Sequence, residues 1–434
     1  MQRTSLALAR RAIRSTRTTP APILPSRHTT QIRFASALPP RSSAFAQLTE
    51  SNITDLRALL SAPTSLMSTL DGSASEDDLR PFNDDWMNKY HGKGQVVVKP
   101  KTVEEVSKVM KYCWDKGIAV VPQGGNTGLV GEQSSAQHTR VTSTDISRCE
   151  HSGGSTPIHD ELILNLSNLN SIRSFDTVSG TLTVDAGAIL ETVDNELASH
   201  GHIFPLDLGA KGSCQIGGNV ATNAGGLRLL RYGSLHGSVL GLEVVLPDGT
   251  IWDGLGGGLR KDNTGFDMKQ LFIGSEGTIG IITGITILTP KRPSVSGTAR
   301  YLSSLTHQHP AQILLFLNIP SLQAMNVAVF SLPSYEAVQK VYTETKSHLG
   351  EILSAFEFFD KQAYDLVRRH QKEGGEADRK VFETEGEFYV LVETGGSKQE
   401  HDEEVSCRST IRDELMRPAL LKPSTYVLHC FSNF

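Results

Sequence analysis

The sequence predicts an α+β protein with more than one module, and three observations support this prediction. Two glycine-rich stretches, at 120–131 and 204–237, separate strand and helix patterns in the first 290 residues. From Met325 onward, short strands alternate with amphipathic helices, as in a separate α+β module. The 434 residues, of which 38% are hydrophobic and 21% charged, have ordinary globular composition and suffice for two or three domains.

Residues 1–49 have the composition of a targeting segment. They hold eight arginines and no Asp, Glu or Lys, which is typical of a mitochondrial transit peptide. A basic arm that binds nucleic acid is the alternative, which the near absence of aromatic residues disfavours. Without this segment 34 basic and 47 acidic residues remain, so the predicted mature chain has a net charge of −13 and binds polyanions poorly.

Membrane and disulfide signals are weak. No run of 18 apolar residues occurs, so no transmembrane segment is predicted. The five cysteines form no CxxC pair, which favours reduced thiols over a disulfide framework or a zinc site.

The first glycine-rich stretch follows a predicted helix and strand. Thr102 and Glu105 predict a capping box at the helix start, and Gly117 predicts its end. An apolar strand then leads into the loop PQGGNTGLVG, 122–131. Glycine allows positive φ and close backbone approach, so the loop amides can converge on an anion such as a pyrophosphate; a simple turn is the alternative. Neither the GxGxxG order nor the following helix of a nicotinamide-binding Rossmann unit is present.

The second glycine-rich stretch, 204–237, fits neither the helix nor the strand period. Such a stretch builds little core, so its backbone polar groups need water or a ligand as partners. A flexible linker is the alternative, which five apolar residues interpreted as anchors disfavour: Ile216, Val220, Leu227, Leu229 and Leu230. Just before it, the pair His200 and His202 could be a metal pair, although a helix C-terminus is the favoured interpretation.

The remaining pattern predicts strands and helices in a regular order. Earlier strands are predicted at 162–166 and 181–185, with a helix at 189–197. A strand at 239–246, a hairpin turn at Asp248–Gly249 and a long β run within 271–290 follow. The second module is predicted as strand 326–331, helix 335–349, strand 353–359, helix 361–370 and strand 387–393, with its boundary within 290–320.

Four ordered motifs resemble those of a known family. They are PQGGNTGLVG (122–131), PLDLGAKGSCQIGGNVATNAGGLRLLRYGSLHG (205–237), LRKDNTGFD (259–267) and IGSEGTIGIIT (273–283). Together they resemble the FAD-linked D-2-hydroxyacid dehydrogenases of the vanillyl-alcohol-oxidase flavoprotein superfamily. The resemblance implies an α+β architecture with a two-subdomain FAD-binding domain of the PCMH/VAO type, followed by a truncated substrate (cap) domain.

The resemblance also implies domain boundaries. It places an FAD-binding domain at 80–293 and a partial cap domain at 324–404, after the transit peptide that composition predicts at 1–49. Atypical sequence interrupts this pattern at 132–152, 294–323 and 405–434.

The resemblance implies which residues bind FAD. The first loop would wrap the pyrophosphate with main-chain amides, the second stretch would line the ribityl and isoalloxazine side, and a later turn would hold the adenine end. In that order the residues are Pro122, Gly124, Gly125, Asn126, Thr127, Gly128 and Leu129; Pro205, Gly212, Ser213, Gly217, Gly218, Asn219, Thr222, Asn223 and Gly226; and Gly277 and Ile279. The first loop lacks the histidine of covalent relatives, so non-covalent FAD is expected.

The implied reaction is hydride transfer from C2 of a D-2-hydroxy acid, D-2-hydroxyglutarate first, to flavin N5. Electrons would pass to an electron-transfer flavoprotein, cytochrome c or a quinone, in the mitochondrial matrix or at the inner membrane. The alternatives are a cytochrome-linked D-lactate dehydrogenase and a flavin-binding but inactive truncated homologue.

The catalytic residues stay unassigned. The family's HxGDGNxH-type strand, its Glu-His pair and the ligands of a divalent metal such as zinc cannot be found in this chain, so no metal site is expected. Neither the lone His429 nor the pair His307 and His309 is expected to replace them.

Overall fold

The computed structural model describes residues 41–129, 132–133, 154–157, 159–256, 259–292, 325–373, 385–396 and 428–431. The predicted insert 294–323 lies outside these ranges, as do most of the predicted transit peptide, the insert 132–152 and the tail. None of the described helices is both long and apolar enough to cross a bilayer.

The strands are numbered in chain order. They are β1 Leu66–Ser68, β2 Val96–Val98, β3 Val120–Gln123, β4 Glu132–Gln133, β5 Gly154–Ser155, β6 Leu162–Asn165, β7 Ile172–Asp176, β8 Thr181–Asp185, β9 Val239–Val245, β10 Ile251–Gly254, β11 Ile281–Leu288, β12 Met325–Leu332, β13 Leu353–Asp360, β14 Phe388–Gly395 and β15 Leu428–Phe431.

The helices follow the same convention. They are α1 Glu50–Ala58, α2 Glu76–Asn83, α3 Val103–Lys116, α4 Leu190–Ser199, α5 Ile216–Ala221, α6 Leu229–Tyr232, α7 Leu235–Ser238, α8 Tyr335–Leu349 and α9 Lys361–Glu373.

The first sheet has the strand order β1-β2-β6-β3. Strands β2, β6 and β3 run parallel, and β1 pairs antiparallel with β2. Their apolar runs are continuous because these strands are buried on both faces. This arrangement sets the first glycine-rich loop at the carboxyl end of β3.

The second sheet has the order β10-β9-β11-β8-β7 and is antiparallel throughout. One hydrophobic core joins it to the first sheet and to α3, with residues such as Leu162, Val184 and Val109 fully buried. Ile216 and Val220 of α5 lie in the same core. The second glycine-rich stretch is therefore attached to both sheets.

Helix α3 confirms the predicted helix, with one difference at its start. The Thr102 hydroxyl accepts from the Glu105 N–H at 3.3 Å, and Gly117 ends the helix with φ 66°. The Glu105 carboxylate does not complete the predicted capping box. It accepts instead from the backbone N–H groups of Ser61 and Lys101, both at 2.7 Å, because a buried carboxylate needs donors and the neighbouring loop supplies them.

The third sheet, of order β13-β14-β12-β15, carries α8 on one face and has its own hydrophobic core. The strand-helix alternation predicted for the second module is confirmed, and α8 has the predicted bounds. Arg231 of α6 connects this module to the rest, donating to the Ile352 carbonyl at 3.2 Å and to Ser354 Oγ at 3.1 Å.

The stretch 204–237 contains three short helices, α5 to α7, where the sequence shows no period. Helices of four to six residues are too short to display an amphipathic repeat. Ile216 and Val220 are fully buried, as predicted for anchors. Leu227, Leu229 and Leu230 are 40%, 46% and 37% exposed, so their interpretation as anchors is wrong: α6 buries no side chain.

Candidate functional site

A cavity of about 810 Å³ lies between the two glycine-rich stretches. Its volume falls in the range of about 300–1,000 Å³ that is usual for small-molecule and cofactor sites. The loop after β3 forms one wall, and the segment from Leu208 through α5 forms the other. Trp86 and Glu276 complete the lining.

The structure places eleven of the eighteen predicted site residues in the cavity wall. They are Pro122, Gly124, Gly125, Asn126, Thr127, Gly128, Leu129, Ser213, Gly218, Asn219 and Thr222. The other seven are not among the lining residues: Pro205, Gly212, Gly217, Asn223, Gly226, Gly277 and Ile279.

Several of these seven pack against neighbouring backbone or side chains instead. A Cβ on Gly217 would lie 2.5 Å from the Ala186 Cβ, and one on Gly226 would lie 1.8 Å from the Asp207 carbonyl oxygen. Gly277 has φ +76° and packs against Pro122, which itself lines the cavity. These glycines allow close packing of the segments that carry the wall.

Ten lining residues were missed by sequence reasoning: Trp86, Leu208, Gly209, Ala210, Cys214, Gln215, Ala221, Ala224, Gly225 and Glu276. Most of them lie inside the second stretch, between predicted site residues, and this position in the sequence could have indicated that they line the site. Trp86 is far from both stretches in the chain, and no sequence pattern indicated it.

The first loop achieves close approach without positive φ at its glycines. Gly124, Gly125 and Gly128 all have ordinary φ, and Asn126 takes the left-handed conformation with φ 54°. The positive φ that glycine permits is therefore not used at these three positions. A Cβ on Gly125 would lie 2.2 Å from the Ser213 carbonyl oxygen, so glycine here allows close contact between the two glycine-rich stretches, and the approach of the loop to a ligand stays a prediction.

Two buried acceptors in the wall lack hydrogen-bond partners among the described residues. They are Oε1 of Gln215 and Oδ1 of Asn219, in side chains that are only 7% and 6% exposed. Leaving such a group unpaired costs about 1–3 kcal/mol. Both residues line the cavity, but these two oxygen atoms are themselves buried away from its open surface.

The described lining residues include no Lys, Arg or His, and their only side chains that ionise are Cys214 and Glu276. Burial raises the pKa of the Cys214 thiol to about 11, so this thiol is neutral at pH 7. The Glu276 N–H donates to the Ala221 carbonyl at 2.8 Å and attaches its turn to α5. The described wall thus offers main-chain amides and small side chains for binding.

The pair His200 and His202 does not line the cavity. His200 is the C-cap of α4, which confirms the predicted helix C-terminus. His202 is buried beside Phe175, and its ring nitrogens lie 3.1 Å and 3.2 Å from the carbonyl oxygens of Thr289 and Thr177. The described residues contain no group of three or more His, Cys, Asp or Glu that could hold a metal ion.

The turn that carries Trp86 is fixed by the Asp85 carboxylate. This buried group accepts from the N–H groups of Met87, Lys89 and Tyr90 at 3.1, 2.6 and 2.7 Å. Burial alone would raise the pKa of Asp85, but these three donors outweigh it and hold the pKa below its usual value of 3.8.

Substitution of Asp85 should therefore have a pH-dependent effect. Asp85→Asn should lower the free energy of unfolding by about 1 kcal/mol at pH 7, because hydrogen bonds to a charged acceptor are lost. Because the pKa of Asp85 is lower in the folded state, the charged carboxylate contributes to the stability of the fold. This contribution to the free energy of unfolding is fully present above the unfolded-state pKa and disappears as pH falls through the lower folded-state pKa. Urea denaturation of both proteins between pH 7 and pH 3 should show the difference shrinking below about pH 4. A difference that is constant with pH would contradict this role.

Comparisons with known proteins identify the domains and the fold of this chain. The model of an FAD binding domain matches residues 94–151 and 146–254, and that of the FAD linked oxidase C-terminal domain matches 321–421. The structure is similar to that of alkyldihydroxyacetonephosphate synthase, with a TM-score of 0.58 and 16% sequence identity over 90% of this chain and 61% of that chain. It is also similar to p-cresol methylhydroxylase, with a TM-score of 0.55 and 14% identity over 88% of this chain and 67% of that chain. These likenesses confirm the α+β fold class of PCMH/VAO-type flavoproteins.

Curated relatives are much closer in sequence. A Schizosaccharomyces pombe protein named as a mitochondrial D-lactate dehydrogenase is 49% identical over 84% of this chain and 58% of its own length. A D-2-hydroxyglutarate–pyruvate transhydrogenase of Saccharomyces cerevisiae is 41% identical over 84% of this chain and 61% of its own length. A mitochondrial D-2-hydroxyglutarate dehydrogenase of Danio rerio is 42% identical (85% and 57%).

The chain thus spans less than two thirds of the length of these three relatives. The domain matches and the sequence identities nevertheless agree with the four motifs found in the sequence. The chain therefore belongs to the FAD-linked D-2-hydroxyacid dehydrogenase family of the vanillyl-alcohol-oxidase flavoproteins.

Proposed function

We propose that this chain binds FAD non-covalently in the cavity and serves the FAD-dependent oxidation of a D-2-hydroxy acid, D-2-hydroxyglutarate first, to the 2-oxo acid. The observation that carries the proposal is a cavity of about 810 Å³ between two glycine-rich walls, a volume in the range usual for cofactor sites. The names of the relatives support the class of substrate.

The residues present fit an FAD molecule. Two phosphates need clustered donors, which the amides of the loop Gly124–Gly128 can supply. A Cβ on Gly218, in the opposite wall, would meet no atom within 4 Å, so this wall leaves open space for the rest of the dinucleotide. We therefore propose that the phosphates lie beside the first loop and the ribityl and ring end beside α5, as the family resemblance implies.

The wall also supports non-covalent attachment. The described lining residues contain no histidine, and the Cys214 thiol is neutral because burial raises its pKa to about 11. Bound FAD would accept the hydride from C2 of the hydroxy acid. The chain's own apolar lining, including Leu208, Ala210 and Ala221, would exclude water from the ring.

Binding without turnover is the second candidate function. It is favoured by the described lining, which holds no Lys, Arg or His to bind a carboxylate or to accept the hydroxyl proton. The catalytic residues and any divalent metal such as zinc remain unassigned in this chain.

The cellular setting is part of the same proposal. The Arg-rich segment 1–49 and the mitochondrial names of two relatives support a mitochondrial protein. Electrons would pass to an electron-transfer flavoprotein, cytochrome c or a quinone. Nucleic acid is not an expected partner, because the predicted mature chain is strongly acidic.

Anaerobic reduction of the flavin tests the proposed reaction. FAD-loaded protein is mixed with D-2-hydroxyglutarate, with D-lactate and with the L-enantiomer of each, and the visible flavin bands are followed. Bleaching by D-2-hydroxyglutarate, with no bleaching by its L-enantiomer, is expected for the enzyme. Bleaching by D-lactate alone would show that D-lactate, and not D-2-hydroxyglutarate, is the substrate. A stable oxidised spectrum with every acid would reject turnover and support the second candidate function, FAD binding without turnover.

A further inference from the structure

Trp86 is an exposed aromatic residue in the wall of the cavity. It lines the cavity although 66% of its surface is open to solvent. Trp252, by comparison, stacks on Phe272 with a centroid distance of 5.3 Å. A large aromatic side chain left open at a cofactor-sized cavity indicates a surface that a ligand covers.

The backbone that presents Trp86 is fixed before any ligand arrives. The Asp85 carboxylate accepts three backbone N–H groups of the turn, and the backbone bridges from Asp84 to His91. The Asp84 carboxylate also contacts the His91 ring at 2.8 Å. The turn is therefore ordered in the folded protein, and the entropy of ordering it is lost during folding rather than when a ligand binds.

The turn is also attached to the first glycine-rich loop. The Asn126 side-chain amide donates to the Asp84 carbonyl at 2.7 Å and to the Pro81 carbonyl at 3.3 Å. Asn126 is the left-handed residue of that loop, with φ 54°. Leu129, at the other end of the loop, lines the cavity and is 55% exposed. Trp86 and Leu129 thus supply large exposed apolar surface beside the loop that is proposed to hold the phosphates.

We propose that Trp86 is an FAD-binding residue that packs against the bound dinucleotide and shields it from water. The inference rests on the proposed function, since it takes FAD as the occupant of the cavity. FAD suits such a residue because both of its ring systems are flat and each offers a π face to an indole. Asp85 and Asn126 act as positioning residues that hold Trp86 over the cavity.

Equilibrium titration of the apoprotein with FAD tests the proposal. Trp86→Ala should raise the dissociation constant for FAD about tenfold or more, because base–aromatic stacking is lost. Trp86→Phe should stay within about threefold of wild type, since a smaller aromatic face remains. Phe266→Ala is the matched control, because Phe266 is 91% exposed and does not line the cavity. Far-UV circular dichroism should be unchanged in all three variants.

Acrylamide quenching of tryptophan emission gives a second readout. FAD should lower the accessible fraction of emission in wild type, and Trp86→Phe should remove most of that protection. Wild-type affinity in Trp86→Ala, or unchanged accessibility on FAD binding, would overturn the role of Trp86 while leaving the proposed function intact. A wild-type protein that does not bind FAD would overturn both.

Discussion

Gly218→Ala should weaken FAD binding at least tenfold while leaving the apoprotein at least as stable as wild type. Gly218 lines the cavity, and a Cβ at this position meets no atom within 4 Å, so the added methyl group would occupy space assigned to the ligand. The residue lies in the interior of α5, where Ala is favoured over Gly by up to about 1 kcal/mol. Thermal unfolding and FAD titration together measure both effects.

Gly237→Ala is the control for this experiment. Gly237 also lies in a helix, α7, and a Cβ there would likewise meet no atom within 4 Å, but this glycine does not line the cavity. Its substitution should leave the FAD affinity unchanged and, as at Gly218, keep the stability equal to or slightly above that of wild type. Unaltered FAD affinity in Gly218→Ala would mean that the ligand does not contact α5.

Gly125→Ala should lower both stability and binding. A Cβ at Gly125 would lie 2.2 Å from the Ser213 carbonyl oxygen and 3.1 Å from the Cys214 Cα, so backbone would have to move. Overpacking of this kind costs about 1–3 kcal/mol, and the movement would separate the two walls of the cavity. The midpoint of urea denaturation of the apoprotein should fall, and FAD affinity should fall with it.

The neighbouring glycine provides the comparison. A Cβ at Gly124 would lie 3.5 Å from Gln215 Oε1, which is ordinary contact, so Gly124→Ala should keep the stability of the fold. Equal destabilisation by Gly124→Ala and Gly125→Ala would show that the close contact between Gly125 and Ser213 is not the reason why Gly125→Ala lowers stability.

The sequence predicted the longer elements well because each carries a local signal. Helix α3 has a polar cap, an apolar stripe and a closing glycine, and α8 has matching bounds because it too carries a polar cap and an apolar stripe. The helices α5 to α7 carry no such signal, since each has only four to six residues. The exposed leucines of α6 show that apolar type alone does not determine burial.

The site was predictable where the chain itself is unusual. Glycine-rich sequence marked both walls, and the predicted residues of the first loop do line the cavity. The conformation within that loop was not predictable: among its described residues, Asn126 rather than a glycine takes positive φ. Trp86 could not be found, because only folding brings its turn to the loop through the Asn126 amide.

Equilibrium dialysis of the purified apoprotein against FAD tests the central claim most directly. We predict one FAD bound per chain, released intact on denaturation, with affinity reduced by Gly218→Ala and unchanged by Gly237→Ala. Absence of FAD binding, or an FAD affinity that Gly218→Ala does not change, would contradict the assignment of FAD to the cavity between the two glycine-rich stretches.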